Sequence, residues 1–261
     1  MSFERIQVGG VGFYKVVGWD GAIGLFTTRH GGESAPPFDS MNLGAGSGDD
    51  PEVVARNRRI LADALGLGAR GVRTVSQVHG TEIYVLTDPD APRPITGHDA
   101  IMTDIPGAAV GVLTADCVPI ILHDPASRAV SCVHAGWAGT VKGIVGAAIN
   151  RMSEVYGAEP SGIRAAIGPS IGPCCYEVDD KVIGPLSESH AGWEGYAKPA
   201  SPGKWMLDLW AANRAQVVGA GVPPANVSTL GLCSACHQGE FFSHRRSGGR
   251  AGRMMAVAMI K

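Results

Sequence analysis

Excess charge of either sign is missing from this sequence. Its 261 residues carry 22 Lys and Arg against 24 Asp and Glu, a net charge of −2 with histidine neutral. A chain that grips a phosphate backbone needs a basic face, so no nucleic-acid partner is expected. Charged residues are sparse, at 18% against 45% hydrophobic, and that balance excludes intrinsic disorder. Long apolar runs are absent too. The longest stretch free of Asp, Glu, Lys and Arg, Ala215–Gly239, is interrupted by Pro223, Pro224, Asn226, Ser228 and Gln238, so no membrane span is expected. Residues 1–7 lack the basic cap and apolar run of a secretory leader, and a cytoplasmic location is expected. The six cysteines are then reduced and free for metal or catalysis. A chain of this size buries roughly 70–75% of its unfolded surface and needs no disulfide or structural metal to fold.

No internal repeat or linker interrupts the chain. Gly31–Asp50, rich in Gly, Pro, Ser and Asp, reads as a long binding loop rather than a boundary. After it, Asp50 as cap and Pro51 as first residue open a helix with Val53, Ile60, Leu61, Ala64 and Leu65 on one face. A second helix runs through Val141, Ile144, Val145, Ala148, Met152 and Val155 to Gly157, and a third from Asp208 to Gly219. Strands are expected at Val72–Val78, Ile83–Leu86, Ala109–Leu113, Val118–Leu122, Ala129–Val133, Ile163–Ile167 and Met254–Ile260. Several are apolar throughout, as in strands covered on both faces. Strands outnumber helices without alternating, which favours an α+β fold with a mixed sheet or sandwich.

Three segments share one design, an apolar strand followed by a metal-capable residue and a turn: Val75–Gly80 with His79, Leu113–Pro119 with Cys117, and Ser131–Trp137 with His134. Strand ends that meet at one sheet edge would bring these three together. Two imidazoles and a thiolate suit Zn²⁺ and leave a fourth position open. The same residues also read as two satisfied polar histidines and a small buried cysteine. A third reading is a thiolate–imidazolium pair, Cys117 and His134, acting as nucleophile and base without metal.

Longer motifs add a resemblance. Ser76-Gln77-Val78-His79-Gly80, His98-Asp99-Ala100, Leu113-Thr114-Ala115-Asp116-Cys117-Val118-Pro119-Ile120 and Val133-His134-Ala135-Gly136-Trp137 resemble the YfiH/laccase-domain family, also called multicopper polyphenol oxidase or peptidoglycan editing factor proteins. So do Ile167–Val178 and Phe241–Arg246, and upstream Thr28–Gly32, Asn42–Gly44, Gly48–Pro51 and Asn57-Arg58. The order is kept across nearly the whole chain. Two departures stand out: Ala138 where the family usually has Arg, which removes one phosphate contact, and His244 where it often has Tyr.

The resemblance implies one α+β domain over residues 1–261, with a mixed β-sandwich core flanked by helices. It implies a metal site at His79, Cys117 and His134, with Zn²⁺ as cofactor and Cu²⁺ as alternative occupant. It implies phosphorolysis of purine nucleosides and deamination of adenosine, so the expected partners are a purine nucleoside and phosphate. Zinc on three ligands lowers the pKa of its water toward ~7, which suits attack on C6 of adenine. Asp116 beside Cys117 is the expected acid/base, or else a group orienting a ligand histidine. Arg29 and Arg245 are the expected phosphate holders, since guanidinium forks fit phosphate oxygens, and Asn42 is grouped with them as a substrate contact. Copper-assisted phenol oxidation, and hydrolysis of a cell-wall precursor by Cys117 and His134, are the alternative activities. Metal storage or nucleotide binding without turnover is the non-enzyme alternative. A four-copper cluster is not expected, because none of the eight histidines forms a His-x-His pair.

Two further motifs are read as coincidences. Cys233-Ser234-Ala235-Cys236-His237 fits a haem-attachment pattern, but a structural or adventitious-metal role suits the pair better. Gly168-Pro169-Ser170-Ile171-Gly172 fits a nucleophile elbow with Asp208 and His237 downstream, yet Pro173 follows where a helix should begin. Vicinal Cys174-Cys175 reads as packing at the same turn.

Overall fold

The computed structural model describes residues 2–261. Two mixed sheets pack face to face at its centre. The larger has seven strands in the spatial order Ser2–Val8, Val11–Val17, Ala22–Thr27, Met254–Ile260, Ala109–Thr114, Arg73–Ser76 and Ile95–Thr96. The smaller has six, in the order Val227–Thr229, Arg164–Ile167, Val118–Asp124, Ala129–Ala135, Ala100–Thr103 and Ile83–Val85. Most neighbours are antiparallel. Arg73–Ser76 is parallel to both its neighbours, and each edge of the smaller sheet is a parallel pair.

Between the sheets, Phe26, Val110, Val112 and Ala258 of the larger meet Ile101, Ile121, Val130 and Ala166 of the smaller. On the smaller sheet's outer face, Ile120, Leu122 and Val133 pack with Ile144, Ala148, Ile149 and Val217 of helices Ile144–Tyr156 and Leu209–Gly219. Helix Pro51–Ala64 covers the larger sheet, placing Leu61 among Val11, Phe13, Leu25 and Val257. Cover on both sides is why every position of Val118–Asp124 and Ala129–Ala135 is buried. This is the expected α+β sandwich flanked by helices.

Local signals act where the sequence puts them. Asp50 accepts from the Glu52 N–H at 2.8 Å, and Asp208 from the Ala211 N–H at 2.9 Å. The second helix departs from expectation: Gly143, at φ +77°, divides it, leaving Val141 in a separate short helix, Trp137–Val141. The first three strands lie outside those expected from the apolar runs. Their signal is Gly9-Gly10, both at positive φ, which turn Val8 back onto Val11 as two-residue hairpin loops do. Helix Asp180–Ser189 is masked in the sequence by its internal Pro185.

Candidate metal centre

The three expected ligands converge, at the end of the sandwich rather than on one sheet. His79 follows Arg73–Ser76 of the larger sheet. Cys117 sits where the chain leaves Ala109–Thr114 of the larger sheet and enters Val118–Asp124 of the smaller. His134 lies in Ala129–Ala135, paired with Pro119. Their donor atoms all lie within 4.8 Å of one another, with Cys117 Sγ 3.8 Å from His79 Nε2. Two imidazole nitrogens and one sulfur at this separation can share one ion and leave a coordination position free. His79 and Asp116 both hold positive φ, +59° and +88°, a backbone state that costs energy in residues with a Cβ and often marks functional sites.

The chief organiser is Asp99, which the sequence marks only as the middle residue of the His98-Asp99-Ala100 motif, with no role attached. It is fully buried, and its carboxylate accepts N–H bonds from Val78 at 3.1 Å, His79 at 2.9 Å and Gly80 at 2.7 Å. It also lies 2.8 Å from His134 Nδ1, which leaves Nε2 to face the other ligands. Burial alone would raise the Asp99 carboxyl, but His134 and the Gly80 and Val78 N–H groups bring it down to about 2. Burial would also raise the Cys117 thiol, yet the His134 and His79 imidazoles outweigh it and lower the thiol to about 6. His134 is raised to about 9: burial opposes its protonation, and Cys117 and Asp99 override it. Cys117 is therefore primed as a thiolate, the form that binds metal or attacks as a nucleophile.

A cavity of about 610 Å³ opens over these ligands. Loop residues Gly44–Ser47 form one wall, and Arg58, Arg93, Arg253 and His244 line it with the ligands. Among the described residues, no carboxylate forms an ion pair with these three arginines. Burial lowers the pKa of each, and for Arg58 and Arg93 a neighbouring guanidinium adds to it. Such a cluster favours an anionic ligand.

The other residues expected at the site take different places, none on the cavity wall. Arg29 donates to the Asp39 and Gln238 carbonyls, pairs with the Asp39 carboxylate at 3.1 Å and lies over Phe242. Arg245 donates to the Glu177 carbonyl and lies over Tyr176. Asn42 is fully buried, its amide N bonded to Ser47 and Asp49 and its Oδ1 accepting from the Gly44 and Arg253 N–H groups. Asn42 thereby shapes the wall and sets the Arg253 backbone. Asp116 accepts from Ser234 Oγ and the Arg245 N–H, both at 2.6 Å, so the group orienting a ligand histidine is Asp99. The elbow motif is not assembled: Ser170 is fully buried and accepts from Trp210, Asp208 caps a helix, and a His237 ring nitrogen faces the Cys233 carbonyl.

Comparison with known proteins agrees with this frame. A family profile described as "Multi-copper polyphenol oxidoreductase laccase" matches residues 23–261. A Geobacillus stearothermophilus protein named purine nucleoside phosphorylase YlmD is 41% identical over 248 residues, covering 90% of this chain and 89% of that one. A protein from an unknown prokaryote named adenosine deaminase RL5 is 37% identical over 243 residues, covering 90% and 92%. The crystal structure of Bacillus licheniformis hypothetical protein YfiH superimposes with a TM-score of 0.94 at 34% identity, covering 99% of each chain.

Proposed function

The chain belongs to the multi-copper polyphenol oxidoreductase laccase family, and on that premise we propose that it is a zinc-dependent purine nucleoside enzyme of the cytoplasm. It cleaves adenosine- or inosine-type nucleosides with phosphate and also deaminates adenosine. One observation carries this reading: a single cavity has on its walls a His/Cys/His set and three guanidinium groups that, among the described residues, have no carboxylate in an ion pair with them. Its volume of about 610 Å³ lies within the ~300–1,000 Å³ range of small-molecule sites.

The donor set fits the ion. When bound by His79, Cys117 and His134, Zn²⁺ supplies a Lewis acid with an open coordination position. Asp99 fixes the His134 tautomer and ties the His79 loop to it. Arg58, Arg93 and Arg253 hold phosphate oxygens, which lets phosphate approach the ribose C1′ as the purine departs. A departing purine needs a proton or a hydrogen-bond donor. On the cavity wall, among the described residues, His244 is the titratable side chain outside the ligands and arginines, and we assign it that role.

Metal analysis beside adenosine and inosine turnover tests the proposal. Free base should appear only with phosphate, together with ribose-1-phosphate. Arg253→Ala should raise the KM for phosphate roughly 10- to 150-fold, the equivalent of a lost charge-assisted contact of ~1.5–3 kcal/mol, with little change for nucleoside. Unchanged phosphate dependence would remove Arg253 from the site.

Two other readings have specific support. A thiolate with two imidazoles also suits Cu²⁺, the basis of a copper-assisted phenol oxidase. Among the described residues only two groups can share an ion and one contains histidine, which is too few for a four-copper cluster. The lowered Cys117 thiol suits a metal-free Cys117–His134 hydrolase. Full turnover after exhaustive chelation would favour that dyad over either metal.

A further inference from the structure

The second group of potential ligands contains only sulfur. Cys174, Cys175, Cys233 and Cys236 bring four Sγ atoms within 4.8 Å of one another, from two segments about sixty residues apart. We infer that they form a second metal site, a closed tetrathiolate that takes one Zn²⁺ and holds the Cys117 loop in place.

Several observations carry this assignment. All four cysteines are free thiols, and Cys236 Sγ lies 3.5 Å from Cys174 Sγ and 3.4 Å from Cys175 Sγ. These separations far exceed a ~2.05 Å disulfide bond and approach the ~3.8 Å edge of a tetrahedron with ~2.3 Å zinc–sulfur bonds. Because Cys236 neighbours both members of the vicinal pair, the sulfurs form one cluster rather than two matched couples.

The backbone is arranged for a thiolate. The Gly172 N–H donates to Cys233 Sγ at 3.2 Å. A backbone donor on the first sulfur of a C-x-x-C turn offsets negative charge there, and this spacing is a common zinc-ligand unit. Gly172 allows the approach: a Cβ on it would stand 2.6 Å from the Trp210 ring and 3.2 Å from Cys233 Cβ. Four sulfurs complete a tetrahedral shell and leave no open position, so the site is structural rather than catalytic.

Its place in the fold gives it a task. The Ile171 N–H bonds the Asp116 carbonyl, and Ser234 Oγ bonds the Asp116 carboxylate at 2.6 Å. Ile171 belongs to the segment leading to Cys174 and Cys175, and Ser234 lies inside the C-x-x-C turn. An ion joining the two segments would clamp both sides of Asp116, the residue before ligand Cys117.

The assignment does not depend on the reaction proposed above, and its test reads metal rather than turnover. Cys117→Ala protein, which lacks the sulfur of the first site, is kept reduced, stripped of metal and titrated with Co²⁺ alone. The expected result is one Co²⁺ per chain with an intense thiolate-to-cobalt charge-transfer band that Zn²⁺ displaces. That band should vanish in Cys117→Ala/Cys236→Ser and in Cys117→Ala/Cys174→Ser. Cys174 and Cys236 are exposed, so neither change opens a core cavity. Near-UV circular dichroism of the double variants confirms the fold. No thiolate band in the fully reduced Cys117→Ala protein would overturn the inference. So would a band undiminished in both double variants.

Discussion

Gly136 carries an ordinary extended backbone, φ −68° and ψ 172°, which any residue can adopt. Yet a Cβ there would stand 2.8 Å from His79 Cδ2 and 3.1 Å from Cys117 Sγ. Gly136→Ala therefore strains the ligand set and not the backbone. Metal affinity should fall while the unfolding midpoint moves little, as calorimetry with and without Zn²⁺ would show. Asp99 makes the complementary case. Its loss as Asp99→Asn should weaken metal binding ~10- to 100-fold, the usual cost of removing a group that orients a ligand, as competition with a chelator would read. Its carboxyl also predicts a pH effect. The folded value of about 2 lies below the ordinary 3.8, so Asp99 stabilises the fold at pH above about 4. That contribution should disappear as the pH falls toward 2. Urea midpoints should show it in the parent, and a smaller fall over the same window in Asp99→Asn.

At the scale of the element, the ligand loops are tied to regular strands by side chains that imitate backbone. The Gln77 amide donates to the Leu113 carbonyl and accepts from the Leu113 N–H, both at 2.8 Å, which couples the His79 loop to the strand leading to Cys117. Helix caps do more local work. Asp208→Ala should cost ~0.5–2 kcal/mol in urea unfolding, because it removes the bond to the Ala211 N–H. Its kcat and metal content should stay at parent levels, since helix Leu209–Gly219 packs against the smaller sheet and does not line the cavity. A loss of kcat without a loss of stability would reopen the elbow reading of Ser170.

For the whole molecule, the proposal is one cooperative unit. Both sheets contribute to the inter-sheet core, and the three candidate ligands come from both sheets. Limited proteolysis should yield no pair of separately folding halves, and thermal unfolding should show one transition by near- and far-UV circular dichroism. Cys117→Ala should abolish nearly all turnover yet shift the midpoint by less than about 4 °C, the effect of ~1 kcal/mol in a chain this size. Folding rests on the packed core and not on that ion.

What the sequence determined by itself were features carried by neighbours along the chain. Asp50-Pro51 and Asp208 mark helix starts, doubly covered strands read as unbroken apolar runs, and His79, Cys117 and His134 stand out as metal-capable groups at strand ends. Tertiary structure decided which groups face one another. Asp99 meets His134 across 35 residues, Asn42 reaches the Arg253 backbone across 211, and Cys174 meets Cys236 across 62. Arg29 and Arg245 look as apt for phosphate in sequence as Arg58, Arg93 and Arg253, but only the latter three line the cavity. Periodicity and capping are local, because they follow from backbone geometry within a few residues. The direction of a charged side chain depends on the sheet edge or loop that receives it, and that is settled only when distant strands pair.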